Sequence, residues 1–258
     1  MKIGVTLLAS GSNGNCAAIH ADGNTILVDC GISLRMLRQR MRETGVDEST
    51  IRAILVTHSH VDHTKGLDKA SKCFGVPIFS AYETSQILKR DFPEMIPASI
   101  LEVGGQFELS GFQIRSFPVE HDVTTVGYTL TRESTKIGYA TDCGRATVPV
   151  EYNLRDCNTL VLESNYDVNM LVTSKRTWGL KQRICNGQGH LSNIQNSELL
   201  PRLLTTNTKN LILAHISHDC NQYDLALGTA KKTLTFLNRQ DVFLDCGRRE
   251  GPIPTVWC

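Results

Sequence analysis

Thr57-His58-Ser59-His60-Val61-Asp62-His63 is the stretch that decides how this chain reads. It follows an apolar run, Ala53-Ile54-Leu55-Val56, whose length fits a buried strand. An extended tail beyond such a strand puts His58 and His60 on one side. A turn then lets Asp62 and His63 face a second point close by. Neutral imidazole suits zinc, iron or nickel, and a carboxylate tolerates harder ions. A solvated loop has no need of so many histidines, so the run reads as one wall of a two-metal site.

Such a site needs more donors than one loop supplies, and something between the ions. Candidates follow in order down the chain. His121 closes Pro118-Val119-Glu120-His121, Asp142 closes Tyr139-Ala140-Thr141-Asp142, and His215 closes Leu211-Ile212-Leu213-Ala214-His215. Each lies at the C-terminal end of a predicted strand, where the loops of a sheet scaffold gather functional groups. Any one alone would read as a turn residue. In this order, after this run, they read as one constellation.

The chain has 258 residues, 41% of them hydrophobic, enough for one large domain over residues 1–258 with a real core. A formal net charge of +1 creates no global field that demands a nucleic-acid partner, though local basic surfaces remain open. The nine cysteines are scattered and form no CxxC pair, which disfavours a cysteine zinc finger. They read as reduced, mostly buried thiols of a cytoplasmic protein. The N-terminus enters a strand directly, without an apolar leader and cleavage site. No apolar run approaches the roughly twenty residues that span a bilayer, so no membrane partner is expected.

Strands and helices alternate along the chain. Strands are predicted over Ile3–Ala9, Thr25–Asp29, Val76–Ser80, Gly111–Phe117, Val126–Thr131, Lys136–Thr141, Thr159–Leu162 and Asn210–Ala214. Helices are predicted after an N-cap at Ser33, over Lys65–Phe74 and Tyr82–Arg90, and over Ser192–Leu204 and Gln222–Leu237. Asp-Cys-Gly recurs at 29–31, 142–144 and 245–247, each time at a strand end. Strand ends followed by glycine are common, and a duplicated half-sandwich would also produce the repeat.

HxHxDH followed by a separate His, Asp and His closely resembles the metallo-β-lactamase superfamily over nearly the whole chain. The resemblance implies an α/β fold, a four-layer αββα sandwich with a two-metal site at one edge of its sheets. It implies that His58, His60 and His121 hold one ion, that Asp62, His63 and His215 hold the other, and that Asp142 bridges them. Asp29 matches an acidic residue that supports the metal loop, although a plain strand-end turn is its other reading. The ligand set suits zinc or manganese, with iron also compatible.

A narrower set, Leu8-Ala9-Ser10-Gly11-Ser12-Asn13-Gly14-Asn15-Cys16 with Glu163-Ser164-Asn165-Tyr166-Asp167 and Gly189-His190-Leu191-Ser192-Asn193, is similar to the WalJ (YycJ) group and to tRNase Z. That likeness implies a cytoplasmic phosphodiesterase, foremost a DNA exonuclease acting 5′-to-3′ through a hydroxide held between the ions. A homodimer is compatible with it. It also implies that Glu163 and His190 form a proton-shuttling pair, with His190 as general acid. Histidine suits that role because it titrates near neutral pH. The other reading of His190 is a cap on the helix starting near Ser192. The group often has His in place of Tyr166 and Glu in place of Ser59. Tyr166 is therefore expected to alter contacts near the site, and Ser59 to point away from it along an alternating strand.

Substrate contacts are expected from Ser12 and Asn13 in the small-residue turn, from Asn165, and from the basic cluster Lys175, Arg176, Lys181 and Arg183. A plain hairpin turn and a solvated charged face are the alternatives. Trp178 would stack on a base or pack onto the sandwich. Arg35, Arg38, Arg40 and Arg42 crowd one helix. The rival functions are a cyclic-nucleotide phosphodiesterase, another small-molecule metallo-hydrolase such as a lactonase or thioesterase, and a metal-binding module without turnover.

Overall fold

The computed structural model describes residues 2–258. A first sheet is opened by an antiparallel hairpin, β1 (Gly4–Ala9) and β2 (Cys16–Ala21), followed by β3 (Asn24–Val28). Three parallel additions complete it: β4 (Ile51–Leu55), β5 (Ile78–Ser80) and β6 (Ser99–Ile100). A second sheet repeats the plan. Its antiparallel part is β7 (Gln106–Leu109), β8 (Phe112–Val119), β9 (Thr125–Arg132) and β10 (Thr135–Ala140). Its parallel part is β11 (Thr159–Glu163), β12 (Asn210–Ala214) and β13 (Phe243–Cys246). The last strand, β14 (Val256–Trp257), returns to β1, so each sheet has seven strands.

Helices cover both outer faces. On the first sheet lie α1 (Leu34–Thr44), α3 (Leu67–Phe74) and α4 (Tyr82–Asp91), with one turn, α2 (Val61–Thr64), inside the histidine loop. Ser33 caps α1 as expected by accepting from the Met36 N–H, and Leu37 and Met41 are buried beneath it. The second sheet is covered by α5 (Val148–Leu154), α8 (Asn193–Leu203) and α9 (Tyr223–Phe236). Two short helices, α6 (Val168–Thr173) and α7 (Trp178–Cys185), lie between β11 and α8. The αββα layering expected from the sequence is therefore observed. Between the sheets, Ile19, Ile26, Phe112, Tyr128, Tyr139 and Val161 form part of a common buried core. Burial of this kind stabilises by about 25 cal/mol per Å² of apolar surface.

The strand carrying the histidine loop ends at Leu55, and residues 56–60 are irregular with a bend at Ser59. Ser59 is thus not part of an alternating strand. The second sheet holds this segment in place. Tyr128 on β9 donates its hydroxyl to the Val56 carbonyl at 2.7 Å, and the Val126 N–H donates to the Thr57 carbonyl at 3.0 Å. Among the described residues no helix is long and apolar enough to cross a membrane. Six of the nine cysteines are buried and all are free.

Candidate metal centre

Six strand ends converge on one edge of the sandwich. β3 delivers Asp29, β4 the histidine loop, β8 His121, β10 Asp142, β11 Glu163 and β12 His215. Asp29, Asp142 and His215 share a backbone feature, φ of 60°, 54° and 55°. Left-handed conformations are uncommon outside glycine and cost free energy, so their concentration here marks a segment constrained by its surroundings.

The loop joining β1 to β2 and the loop after β3 both brace the histidine loop through the backbone. The Asn15 N–H donates to the Asp62 carbonyl at 2.7 Å, and the Cys30 N–H to the His63 carbonyl at 2.8 Å. Gly31 lies so close that a Cβ there would sit 1.6 Å from the Asp62 carbonyl oxygen. Any side chain at 31 would displace the loop.

The imidazoles are held by their Nδ1 atoms. Thr57 donates its hydroxyl to Asp29, at 2.9 Å to Oδ2, so its oxygen accepts from His58 Nδ1 at 3.0 Å. His63 Nδ1 donates to Asp29 Oδ2 at 2.7 Å, and His121 Nδ1 to the Gly189 carbonyl at 3.0 Å. His215 Nδ1 lies 3.1 Å from Glu163 Oε1 and 2.9 Å from the Asn165 amide nitrogen. Asp29 therefore braces the metal loop, rather than merely ending a strand.

The Nε2 atoms point together. Donor atoms of His58, His60 and His121 lie within 4.8 Å of one another, as do those of Asp62, His63 and His215. Asp142 lies between these groups, with Oδ2 3.1 Å from His63 Nε2 and Oδ1 3.6 Å from His215 Nε2. All seven donors expected from the sequence are thus brought together. His58 Nε2, His121 Nε2 and Asp142 Oδ2 are buried without a hydrogen-bond partner. Orphaned buried polar atoms are costly, and three of them aimed at one space fit divalent cations.

Electrostatics within the cluster separate the histidines. Burial depresses the His58 imidazole well below its ordinary range, and the neighbouring His63 adds to this. Burial also opposes charge on His63, but the Asp142 and Asp29 carboxylates outweigh it and hold its pKa up at about 10. His215 is raised likewise, against burial, by Asp142 and by its bonds to Asp62 and Glu163. Asp142 is held well below the usual carboxylate range by His215, His63 and His58, although burial opposes this.

Glu163 is fully buried at the back of the site. Its Oε2 accepts from the Cys143 N–H at 2.8 Å and from the Leu191 N–H at 3.0 Å, and its Oε1 accepts from His190 Nδ1 at 2.9 Å. Burial pushes its carboxyl up, but charge and hydrogen bonding from His190 and His215 bring it down to about 2. His190 does not cap α8. Ser192 does so through a capping box with Gln195, which leaves the His190 ring to Glu163 and the cavity.

Five of the seven donors, His60, Asp62, His121, Asp142 and His215, line a cavity of about 230 Å³, with Ser12, Asn165, Arg176, Arg183 and His190 also on its wall. A second cavity of about 520 Å³ adjoins it through the shared residues Ser12, Arg176 and Ser217. Asn13 lines only this second cavity. Both sit on the loop joining β1 to β2, so the small-residue turn is a hairpin connection that also borders the site.

Several expected contacts lie elsewhere. Lys181 lines neither cavity, and its ammonium donates to the Val172 carbonyl at 2.6 Å. Tyr166 is buried against Leu171, Ile184 and Cys220 and lines neither cavity. Trp178 is 74% exposed and does not pack onto the sandwich. Arg40 is buried and donates to the Leu8 and Arg249 carbonyls at 2.7 and 2.8 Å, and Arg38 pairs with Glu48 at 2.7 Å. Sequence reasoning missed Asn15, whose amide reaches His63 Nε2 at 2.9 Å, and gave no weight to Asp122 beside His121. Asn15 lies far from the histidines in sequence, and Asp122 was legible only as a neighbour of His121.

A sequence profile described as "Beta-lactamase superfamily domain" matches residues 24–216. The chain belongs to this metallo-β-lactamase superfamily. Among its superfamily relatives, "Exodeoxyribonuclease YycJ" of Bacillus anthracis is 29% identical over 238 residues, 91% of this chain and 90% of that one. "Exodeoxyribonuclease WalJ" of Streptococcus pneumoniae serotype 2 is 30% identical over 226 residues, 86% of this chain and 84% of that one. Among superfamily structures, the metallo-β-lactamase fold protein YhfI from Bacillus subtilis superposes with a TM-score of 0.75 at 15% identity, covering all of both chains. This last likeness concerns the fold alone.

Proposed function

We propose that this protein is a two-metal phosphodiesterase that shortens DNA from an end. The observation that carries the reading is the Glu163–His190 pair, an imidazole on the cavity wall fixed at 2.9 Å by a buried carboxylate behind it. An alkoxide leaving a phosphodiester needs a proton, and a positioned acid supplies it. In this reading His58, His60 and His121 would hold one divalent ion, Asp62, His63 and His215 would hold the other, and Asp142 would serve both. The donor set suits zinc or manganese, and iron also. When bound, such ions stabilise charge on a phosphoryl group and lower the pKa of water.

The chain's own groups complete the chemistry. Glu163 accepts from His190 Nδ1 and fixes the ring. Nε2 is then the atom that gives its proton to the departing oxygen. Asp29 fixes the His63 ring, Glu163 stands at His215 Nδ1 while Asn165 donates to the His215 carbonyl, and Thr57 leaves the His58 Nε2 lone pair free. Arg176 and Arg183 supply positive charge at the cavity wall, where the non-bridging oxygens of a phosphate would lie.

The adjoining cavity supports a polymer in preference to a small cyclic substrate, because it gives the strand beyond the scissile phosphate somewhere to lie. The exodeoxyribonuclease names of the two relatives support DNA. The test is cleavage of end-labelled single- and double-stranded DNA, RNA and cyclic nucleotides with Mn²⁺ or Zn²⁺, with Asp62→Ala alongside. Metal-dependent shortening of DNA, absent in the variant, is expected, and the label position gives the polarity. Turnover of a cyclic nucleotide with no polymer cleavage would overturn the exonuclease reading and leave the metal centre standing.

A further inference from the structure

Asp122 follows His121 in the loop between β8 and β9, and it lines the cavity. Its Oδ1 is 3.2 Å from His121 Nε2 and 3.3 Å from His60 Nε2. Neither approach is a hydrogen bond, and His121 Nε2 is without a hydrogen-bond partner although the carboxylate oxygen stands so near. The oxygen is within reach but off the line along which an N–H would point. Two ligand atoms that share one tetrahedral ion, each about 2.1 Å from it, lie roughly 3.4 Å apart and do not point at each other. Asp142 has the same signature, with Oδ2 3.1 Å from His63 Nε2 and no hydrogen-bond partner.

The other carboxylate oxygen is already engaged. Arg183 on α7 donates from Nε to Asp122 Oδ2 at 3.0 Å, and its Nη2 reaches the same oxygen. The guanidinium thus fixes the rotamer and leaves Oδ1 turned to the histidines. A carboxylate held by one oxygen and presenting the other is how a supporting partner orients a metal ligand.

We propose that Asp122 supplies an additional oxygen donor, through Oδ1, to the divalent ion held by His58, His60 and His121, and that Arg183 positions it. This rests on the metal-site part of the functional reading and is independent of which substrate is cleaved. The arrangement also gives Arg183 two partners of like chemistry, the Asp122 carboxylate and an incoming phosphate.

The test uses metal binding alone. Asp122→Asn and Arg183→Ala are titrated with Zn²⁺ against a competing chelator, and with Co²⁺ while visible absorption is recorded. Asp122→Asn is expected to weaken one of the two ions on the order of 10–100-fold and to change the intensity and position of its cobalt bands. Arg183→Ala is expected to weaken the same ion by less. Asp122→Glu, which keeps the charge but moves the oxygen, is expected to keep the stoichiometry and shift the bands. Wild-type affinity and an unchanged cobalt spectrum in Asp122→Asn, with an unchanged melting temperature, would overturn the proposal. Equal weakening of both ions would overturn it too, because that is general electrostatics rather than ligation. Loss of DNA cleavage with normal metal binding would bear on the nuclease reading and would also refute Asp122 as a donor.

Discussion

The two sheets are built alike but do different work. In the first, antiparallel pairing runs from β14 to β3 and parallel pairing from β3 to β6. In the second, it changes at the matching fourth strand, β10. Each fourth strand ends in Asp-Cys-Gly with the aspartate left-handed, Asp29 at φ 60° and Asp142 at φ 54°. Each glycine meets a carbonyl that leaves no room for a Cβ, Asp62 for Gly31 and Gly187 at 2.4 Å for Gly144. Yet Asp29 turns inward to brace Thr57 and His63, whereas Asp142 faces the donors. One backbone device thus yields a supporting carboxylate in one half and a central one in the other. The third Asp-Cys-Gly, at 245–247, lies on the edge strand β13 and has no such counterpart. Two members of the echo are structurally equivalent and the third is coincidental.

The largest expected effect separates the paired aspartates. Asp142→Ala should abolish turnover and leave at most one tightly bound ion. Asp29→Asn should keep both ions but weaken them by about 10–100-fold, since it alters only what holds the His63 ring. Equal losses in the two variants, measured by metal content and chelator competition, would break the comparison.

Next comes His190, the proposed proton donor, which stands in the second half. His190→Ala should lower kcat on DNA by about 10²–10⁴-fold. The loss should largely disappear with bis(p-nitrophenyl) phosphate, whose leaving group departs without a proton. A loss as large on that ester would assign His190 to another role.

A smaller effect is set by protons stored in the metal-free cluster. With a pKa raised to about 10, His63 stabilises the metal-free fold fully below the ordinary imidazole value of roughly 6.5. That contribution is lost as pH rises through about 10. Ligation needs the neutral ring, so ions loaded between these limits expel protons, and affinity should climb with pH across that window. Calorimetric titration at pH 8 in buffers of different ionisation enthalpy should therefore give different apparent heats. Identical heats would show that the cluster holds no such protons.

How much of this was legible follows from where each signal sits. The histidine run is contiguous, and His121, Asp142 and His215 end apolar strands, so periodicity and order were enough to find them. β2, Cys-Ala-Ala-Ile-His-Ala, was missed because it is buried almost throughout and its alanines give no alternation. Asn15 acts across the fold on Asp62 and His63, a relation no local pattern records. The basic residues misled because charge alone does not say where a long side chain ends: Lys181 bonds to a carbonyl while Arg176 and Arg183 reach the cavity. Trp178 gives the smallest expected effect. At 74% exposure, Trp178→Ala should change stability by less than about 0.5 kcal/mol, and a larger drop in a denaturant melt would mean that it packs against something.

The most direct test of the account is the number of divalent ions the folded protein holds. Native mass spectrometry after Zn²⁺ or Mn²⁺ loading should find two per chain, and fewer in Asp142→Ala at an unchanged fold by circular dichroism. A wild-type chain that stays folded and never holds more than one ion would contradict the claim that the two halves jointly build a two-metal centre.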